Sequence, residues 1–91
     1  RGLVWGAFTN AGQACASVER VYLVKGKNTE KMLAKLVKLT SALKLGAGTA
    51  DSTDVGPLID EVQLAKVKEH VEDAVGKGAR ILAGGHSRED L

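Results

Sequence analysis

Two apolar stripes at helical spacing, each set beside a short run rich in β-branched residues, restrict this chain to a layered arrangement of helices and strands. In the first stripe Met32, Leu36, Leu39 and Leu43 recur every three or four residues, with Leu33, Val37 and Thr40 beside them. That period places them on one face of a helix. In the second, Leu64, Val67, Lys68, Val71, Ala74 and Val75 form the inward face. A helix with one apolar face needs a layer to cover it. Residues 20–24 (Arg-Val-Tyr-Leu-Val) and 79–83 (Ala-Arg-Ile-Leu-Ala) read as the strands of that layer. The expected order is β-α-α-β, a portion of a parallel α/β sheet layer.

Punctuation supports this division. Asn28 or Thr29 caps a helix running to about Leu45, where Gly46-Ala47-Gly48-Thr49 breaks it. The Gly-x-Gly is a helix stop and not a dinucleotide loop, because it follows a helix instead of a strand and lacks the third glycine. Residues 50–58 form a polar loop ending in Gly56-Pro57. Asp60 followed by Gln63 is a capping-box pattern that opens the second helix, and Gly76 and Gly78 stop it. Residues 3–8 read as the tail of a helix.

The 91 residues bound the chain to one small domain or a piece of a larger one. A chain of this size buries only about 60 to 65% of its unfolded surface. Trp5, Phe8 and Tyr22 are its only aromatics, so aliphatic faces must do most of the packing. The formal charge is +2, and Lys27, Lys31, Lys35 and Lys38 line one helical face. Without interleaved aromatics this is a solvated face, and no nucleic-acid partner is expected. A single cysteine forms no internal disulfide, and no apolar run approaches the roughly 20 residues of a membrane span. A cytoplasmic location away from membranes is the expectation.

That one cysteine, Cys15, ends the small-residue loop Asn10-Ala11-Gly12-Gln13-Ala14 and leads into the strand-like run 18–24. Little side-chain bulk surrounds a thiol between Ala14 and Ala16, so a substrate carbon has room to approach. Backbone N–H groups of such a loop can stabilise a thiolate or hold an oxyanion. The alternative fate of a free cysteine is a small buried hydrophobe. Glu19 is the only carboxylate close in sequence, and its place at the start of the strand run suits a solvent-facing or ion-paired role. His70 flanks the second stripe and His86 follows Gly85 in a polar tail; with no paired ligand spacing, neither marks a metal site. The chain offers a nucleophile without a visible general base.

Phe8, Asn10, Gly12, Gln13, Cys15 and Arg20 fill a longer pattern: aromatic, any residue, Asn, any residue, Gly, Gln, any residue, Cys, then an Arg before a strand. The segment resembles the active-site motif of the aldehyde dehydrogenase superfamily. The likeness continues through Asp54-Val55-Gly56-Pro57-Leu58-Ile59-Asp60 and Gly78-Ala79-Arg80-Ile81-Leu82-Ala83-Gly84-Gly85, and covers nearly the whole chain. At Gly46-Ala47-Gly48 it departs from the Gly-polar-Pro turn usual in the family, which bears on the shape of that loop and not on the chemistry.

The resemblance implies that residues 1–91 are part of an aldehyde dehydrogenase catalytic domain, a segment of a chain several times longer, with the nucleotide-binding domain absent. It implies Cys15 as the nucleophile and Gln63 and Lys66 as contacts to NAD or NADP, a cofactor held mainly by parts of the enzyme outside this chain. The residues alone leave Gln63 open as a capping-box residue and Lys66 as an exposed helix lysine. The implied reaction is thiolate addition to a small-molecule aldehyde, oxidation to a thioester, and hydrolysis to a carboxylic acid, in a homo-oligomer. The family's general base, a glutamate, and an asparagine completing its oxyanion hole both lie upstream of these residues. Asn10 and Gln13 would brace the Cys15 loop by side-chain hydrogen bonds, Gly12 would allow close backbone approach, and Ala14 and Ala16 would flank the substrate tunnel. Two alternatives remain: an acylating enzyme that passes the acyl group to coenzyme A, and a small interaction module that associates through exposed sheet edges.

Overall fold

Residues 1–88 are described by a computed structural model, in which three helices carry the regular structure: α1 (Gly2–Phe8), α2 (Thr29–Ser41) and α3 (Glu61–Gly76). The start of α2 is organised by Thr29 more than by Asn28. Thr29 Oγ1 accepts from the Gly26 amide at 2.9 Å and donates to the Val24 carbonyl at 3.0 Å. Asn28 occupies the N-cap position without a side-chain capping bond.

The helix stops at Ser41, short of the expected Leu45, because the chain leaves it to pair with a later segment. The Lys44 amide donates to Asp54 Oδ2 at 2.9 Å, and the Lys44 carbonyl accepts from the amides of Asp54 (2.8 Å) and Val55 (3.1 Å). The Gly46 amide then donates to the Val55 carbonyl at 3.2 Å, giving one parallel bridge between Leu45 and Val55. Gly46 is required here by close approach: a Cβ at this position would lie 2.5 Å from Thr53 Oγ1.

Asp60 caps α3, its Oδ1 accepting from the Gln63 amide at 2.9 Å. At the other end, Gly78 donates to the Val75 carbonyl and Ala79 to the Ala74 carbonyl, each at 3.0 Å. These are the two bonds of a Schellman ending, which satisfy carbonyls the helix itself leaves open. The inward stripe of α3 is only partly covered. Leu64 and Val71 are half-buried, whereas Val67, Lys68 and Val75 are exposed. On α2 the covered face is Leu33, Leu36, Val37, Leu39, Thr40 and Leu43, with Met32 exposed.

The β-α-α-β expectation is corrected on its β half. Neither residues 20–24 nor residues 79–83 form a strand, and no strand occurs among the described residues. The run 18–24 begins with the Val18 amide donating to the Gly6 carbonyl at 3.0 Å, then extends without a ladder partner. Tyr22 is 84% and Val24 92% exposed. Strand propensity gains its stability from pairing and from a covered face, and no second run lies alongside to provide either.

The interior is correspondingly thin. Val4 and Val55 are the buried residues among those described, and both line the junction of α1, the end of α2 and the 53–55 segment. The accessible surface is 7736 Å², where a folded monomer of this mass exposes about 5000 Å². The radius of gyration, 14.0 Å, exceeds the roughly 12 Å of a compact domain of this length. The helices hold their positions through a few local clasps around an open interior.

Candidate functional site

The loop carrying Cys15 takes its shape from an abrupt reversal after α1. Thr9 turns out of the helix (φ −54°, ψ 129°), with its hydroxyl and amide both donating to the Trp5 carbonyl. Asn10 (φ 54°, ψ 37°), Ala11 (φ 55°, ψ 32°) and Gly12 (φ 74°) then lie in the left-handed region one after another. Glycine enters that region freely and asparagine more readily than most residues, which is the physical content of an Asn-x-Gly pattern here. Ala11 does so at a cost of about 1–2 kcal/mol, strain that the rest of the loop must offset.

The offset is visible in the hydrogen bonds. Gln13 donates twice to the Asn10 carbonyl, from its amide at 3.0 Å and from Nε2 at 3.2 Å. Ser17 Oγ donates to the Gly12 carbonyl at 3.3 Å, and the Ser17 amide to the Ala14 carbonyl at 3.0 Å. Cys15 and Ala16 thereby occupy the two central positions of a closed turn. The thiol is free and exposed, so the buried-hydrophobe alternative does not apply to it.

The longest-range bond of the loop lies at the other end of the Gln13 side chain. Gln13 Oε1 accepts from the Ile59 amide at 2.9 Å, across 46 residues of chain. Residue 59 is held on both sides, by the Lys44–Asp54–Val55 clasp before it and by the Asp60 cap after it. A groove of about 690 Å³ opens along this seam, lined by residues 10–13, residues 57–59, Gln63 and Val67.

Gln63 is thus brought against the loop that carries Cys15. Of its capping box, the bond from the Gln63 amide to Asp60 Oδ1 is formed, and Gln63 lines the groove. Cys15 and Lys66 do not line that groove, and Lys66 stands exposed on α3. Of the expected braces, Gln13 acts through its side chain, whereas Asn10 acts through its carbonyl and its left-handed backbone. The Ile59 amide was not among the expected partners. Its one sequence signal is the Asp54–Asp60 likeness, which marks the segment without specifying a partner. Glu19, His70 and His86 are exposed, and no cluster of three or more His, Cys, Asp or Glu able to hold a metal ion occurs among the described residues. No helix among them is long and apolar enough to cross a membrane.

A reversal of left-handed residues thus leads into the turn that carries a free, exposed thiol, and the reversal itself borders a groove. The sequence profile of the aldehyde dehydrogenase family matches residues 1–91. The chain belongs to that family. It is 44% identical over 84 residues to a putative NADP⁺ succinate-semialdehyde dehydrogenase of Mycobacterium tuberculosis, covering 92% of this chain and 16% of that protein. It is 42% identical over 84 residues to a glutarate-semialdehyde dehydrogenase of Pseudomonas putida, covering 92% of this chain and 17% of the relative. Among solved structures, the NAD⁺ complex of an aldehyde dehydrogenase from Bacillus cereus superposes with a TM-score of 0.89 at 34% identity, over 96% of this chain and 18% of that one. The chain therefore spans about a sixth of the length of the proteins it matches.

Proposed function

We propose that this chain is the nucleophile-bearing segment of an NAD(P)⁺-dependent aldehyde dehydrogenase that oxidises a semialdehyde to the corresponding carboxylic acid. The observation that carries the reading is the clasp of the Cys15 loop onto the approach to α3, which sets an exposed thiol on the same loop as a groove reached by Gln63. The names of the two relatives supply the substrate class. In the complete enzyme residues 20–24 and 79–83 become strands of a parallel sheet once neighbouring segments provide ladder partners. The close superposition on a full-length enzyme supports this.

In this reading Cys15 Sγ adds to the aldehyde carbon, forming a C–S bond and an oxyanion. Backbone N–H groups of the loop would stabilise that charge together with a donor from outside the chain. NAD(P)⁺, when bound, supplies the hydride acceptor that takes the substrate from the aldehyde to the acyl oxidation level. Cys15 holds the substrate covalently on both sides of that oxidation, as thiohemiacetal before and as thioester after. Water then cleaves the C–S bond, releasing the acid and restoring the thiol, with a general base from outside these residues.

The residues present fit one edge of a cofactor and no more. Gln63 lines the groove, and Lys66, three residues further along α3 and exposed, would supply a cation to a phosphate or ribose oxygen of the bound cofactor. The Gly46-Ala47-Gly48 turn is no phosphate cradle: Gly46 is engaged in the Val55 pairing and the Thr53 contact. The nucleotide-binding domain, the homo-oligomer and the cytoplasmic location belong to the proposal for the complete enzyme. The test is product analysis with that enzyme, succinate semialdehyde and glutarate semialdehyde, each with NAD⁺ or NADP⁺. Formation of the free diacid with stoichiometric NAD(P)H is expected. A product that appears only with coenzyme A, as its thioester, would establish the acylating alternative instead.

A further inference from the structure

Among the described residues, Gln13 ties the Cys15 loop to a distant part of the chain through its side chain, and both of its polar ends are used. Its Nε2 donates to the Asn10 carbonyl at 3.2 Å, within the left-handed reversal, and its Oε1 accepts from the Ile59 amide at 2.9 Å. Ile59 immediately precedes the Asp60 cap of α3, the helix on which Gln63 and Lys66 lie. Residues 54–55 fix the same segment to the end of α2 through Lys44. The segment is therefore anchored independently of the loop, and the loop reaches it through one amide side chain.

We propose that Gln13 is a positioning residue for the nucleophile: it transfers the fixed position of the segment before α3 to the Cys15 turn, and so sets where the sulfur stands relative to the cofactor-side helix. This rests on the reading of Cys15 as nucleophile. Gln13 touches no reacting atom; it acts two residues away, through the backbone that leads into the Ala14–Ser17 turn. Without it, the strained Asn10–Gly12 reversal loses its tie to the segment before α3 and is held by bonds local to the loop, such as those from Ser17 Oγ and the Gln13 amide. The Ile59 interaction is the part that carries positional information, since the Asn10 interaction is internal to the loop.

The test compares the complete enzyme with its Gln13→Met, Gln13→Glu and Gln13→Asn variants. Methionine keeps the length and loses both bonds. Glutamate keeps an acceptor for the Ile59 amide. Asparagine keeps both polar ends and is too short to span them. The readouts are kcat, the aldehyde KM, and the second-order rate of Cys15 alkylation by iodoacetamide in the absence of substrate. A displaced reacting group costs up to about 10²-fold, so Gln13→Met and Gln13→Asn are expected to lower kcat by roughly 10- to 10²-fold, with a smaller change in KM. Both should slow alkylation, and Gln13→Glu should recover most of kcat and of the alkylation rate. If Gln13→Met does not fold by circular dichroism, the Gln13→Asn and Gln13→Glu pair decides the matter alone. Equal impairment of Asn and Glu variants, or wild-type kcat and alkylation in the Met or Asn variant, would overturn the proposal. If the wild-type enzyme forms no NAD(P)H with any aldehyde, the functional reading fails, and the alkylation rates still decide the role of Gln13.

Discussion

Replacing Gly46 by alanine tests the clasp that anchors the segment before α3. The new Cβ would stand 2.5 Å from Thr53 Oγ1, with Thr53 Cβ at 3.5 Å and Cγ2 at 3.6 Å. Non-bonded carbon contacts are most favourable near about 3.5–4.0 Å, so only the Oγ1 contact is an overlap. Thr53 is half-buried and its amide donates to the Ala50 carbonyl at 3.0 Å, which limits retreat of the backbone. Overpacking of this kind costs about 1–3 kcal/mol. Truncating the neighbour, Thr53→Ala, removes Oγ1 and Cγ2 and leaves an ordinary contact. The double variant should therefore lose less than the sum of the single variants, by about 1–2 kcal/mol of coupling. The loss of unfolded-state freedom on changing glycine to alanine enters both backgrounds equally and cancels in the cycle. Urea denaturation midpoints of the four proteins, in the complete enzyme, give the coupling. Additivity within about 0.5 kcal/mol would refute the steric account and leave the departure at Gly46-Ala47-Gly48 without a structural role.

The other expectations concern the cap, the cofactor side and the chain in isolation. Asp60→Ala should cost about 1 kcal/mol in denaturant stability through loss of the bond to the Gln63 amide, and Asp60→Ser should restore most of it. Lys66→Ala should raise the NAD(P)⁺ KM while leaving the Cys15 alkylation rate of the cofactor-free enzyme unchanged; an unchanged KM would remove Lys66 from the cofactor site. The 91 residues alone should form no NAD(P)H with any aldehyde, because the proposed function assigns the general base and the nucleotide site to parts of the enzyme outside them. They should also self-associate by light scattering, given the exposed faces of Trp5, Tyr22, Val24 and Ile59. A monomer that turns over aldehydes at enzyme rates contradicts both.

The helices were legible in the sequence because their causes are local. Asp60 before Gln63 and the glycines at 76 and 78 act within a few residues, and the α3 bounds follow from them. The α2 end was misplaced, since Leu43 and Leu45 continue the apolar pattern while the Lys44 bonds to Asp54 and Val55 end the helix from a distance. Residues 20–24 and 79–83 have strand composition without strand structure, because a strand is a property of a pair and composition describes one member. The left-handed turn at the site was not anticipated: Asn10 was expected to brace through its side chain and Gly12 to allow close approach, and Ala11 carries no local sign of a positive φ. Gln13 was legible as a brace, and its partner was not. A backbone amide 46 residues away leaves no trace in residue identity.

The role of Cys15 as covalent nucleophile is tested most directly by trapping. The complete enzyme, mixed with succinate or glutarate semialdehyde and NAD(P)⁺ and quenched in acid during turnover, is digested and its peptides weighed. The account predicts an acyl adduct on the peptide containing Cys15, absent when cofactor is omitted, together with loss of turnover in Cys15→Ser. Undiminished turnover in Cys15→Ser, with the acyl group found on another residue or on none, would contradict it.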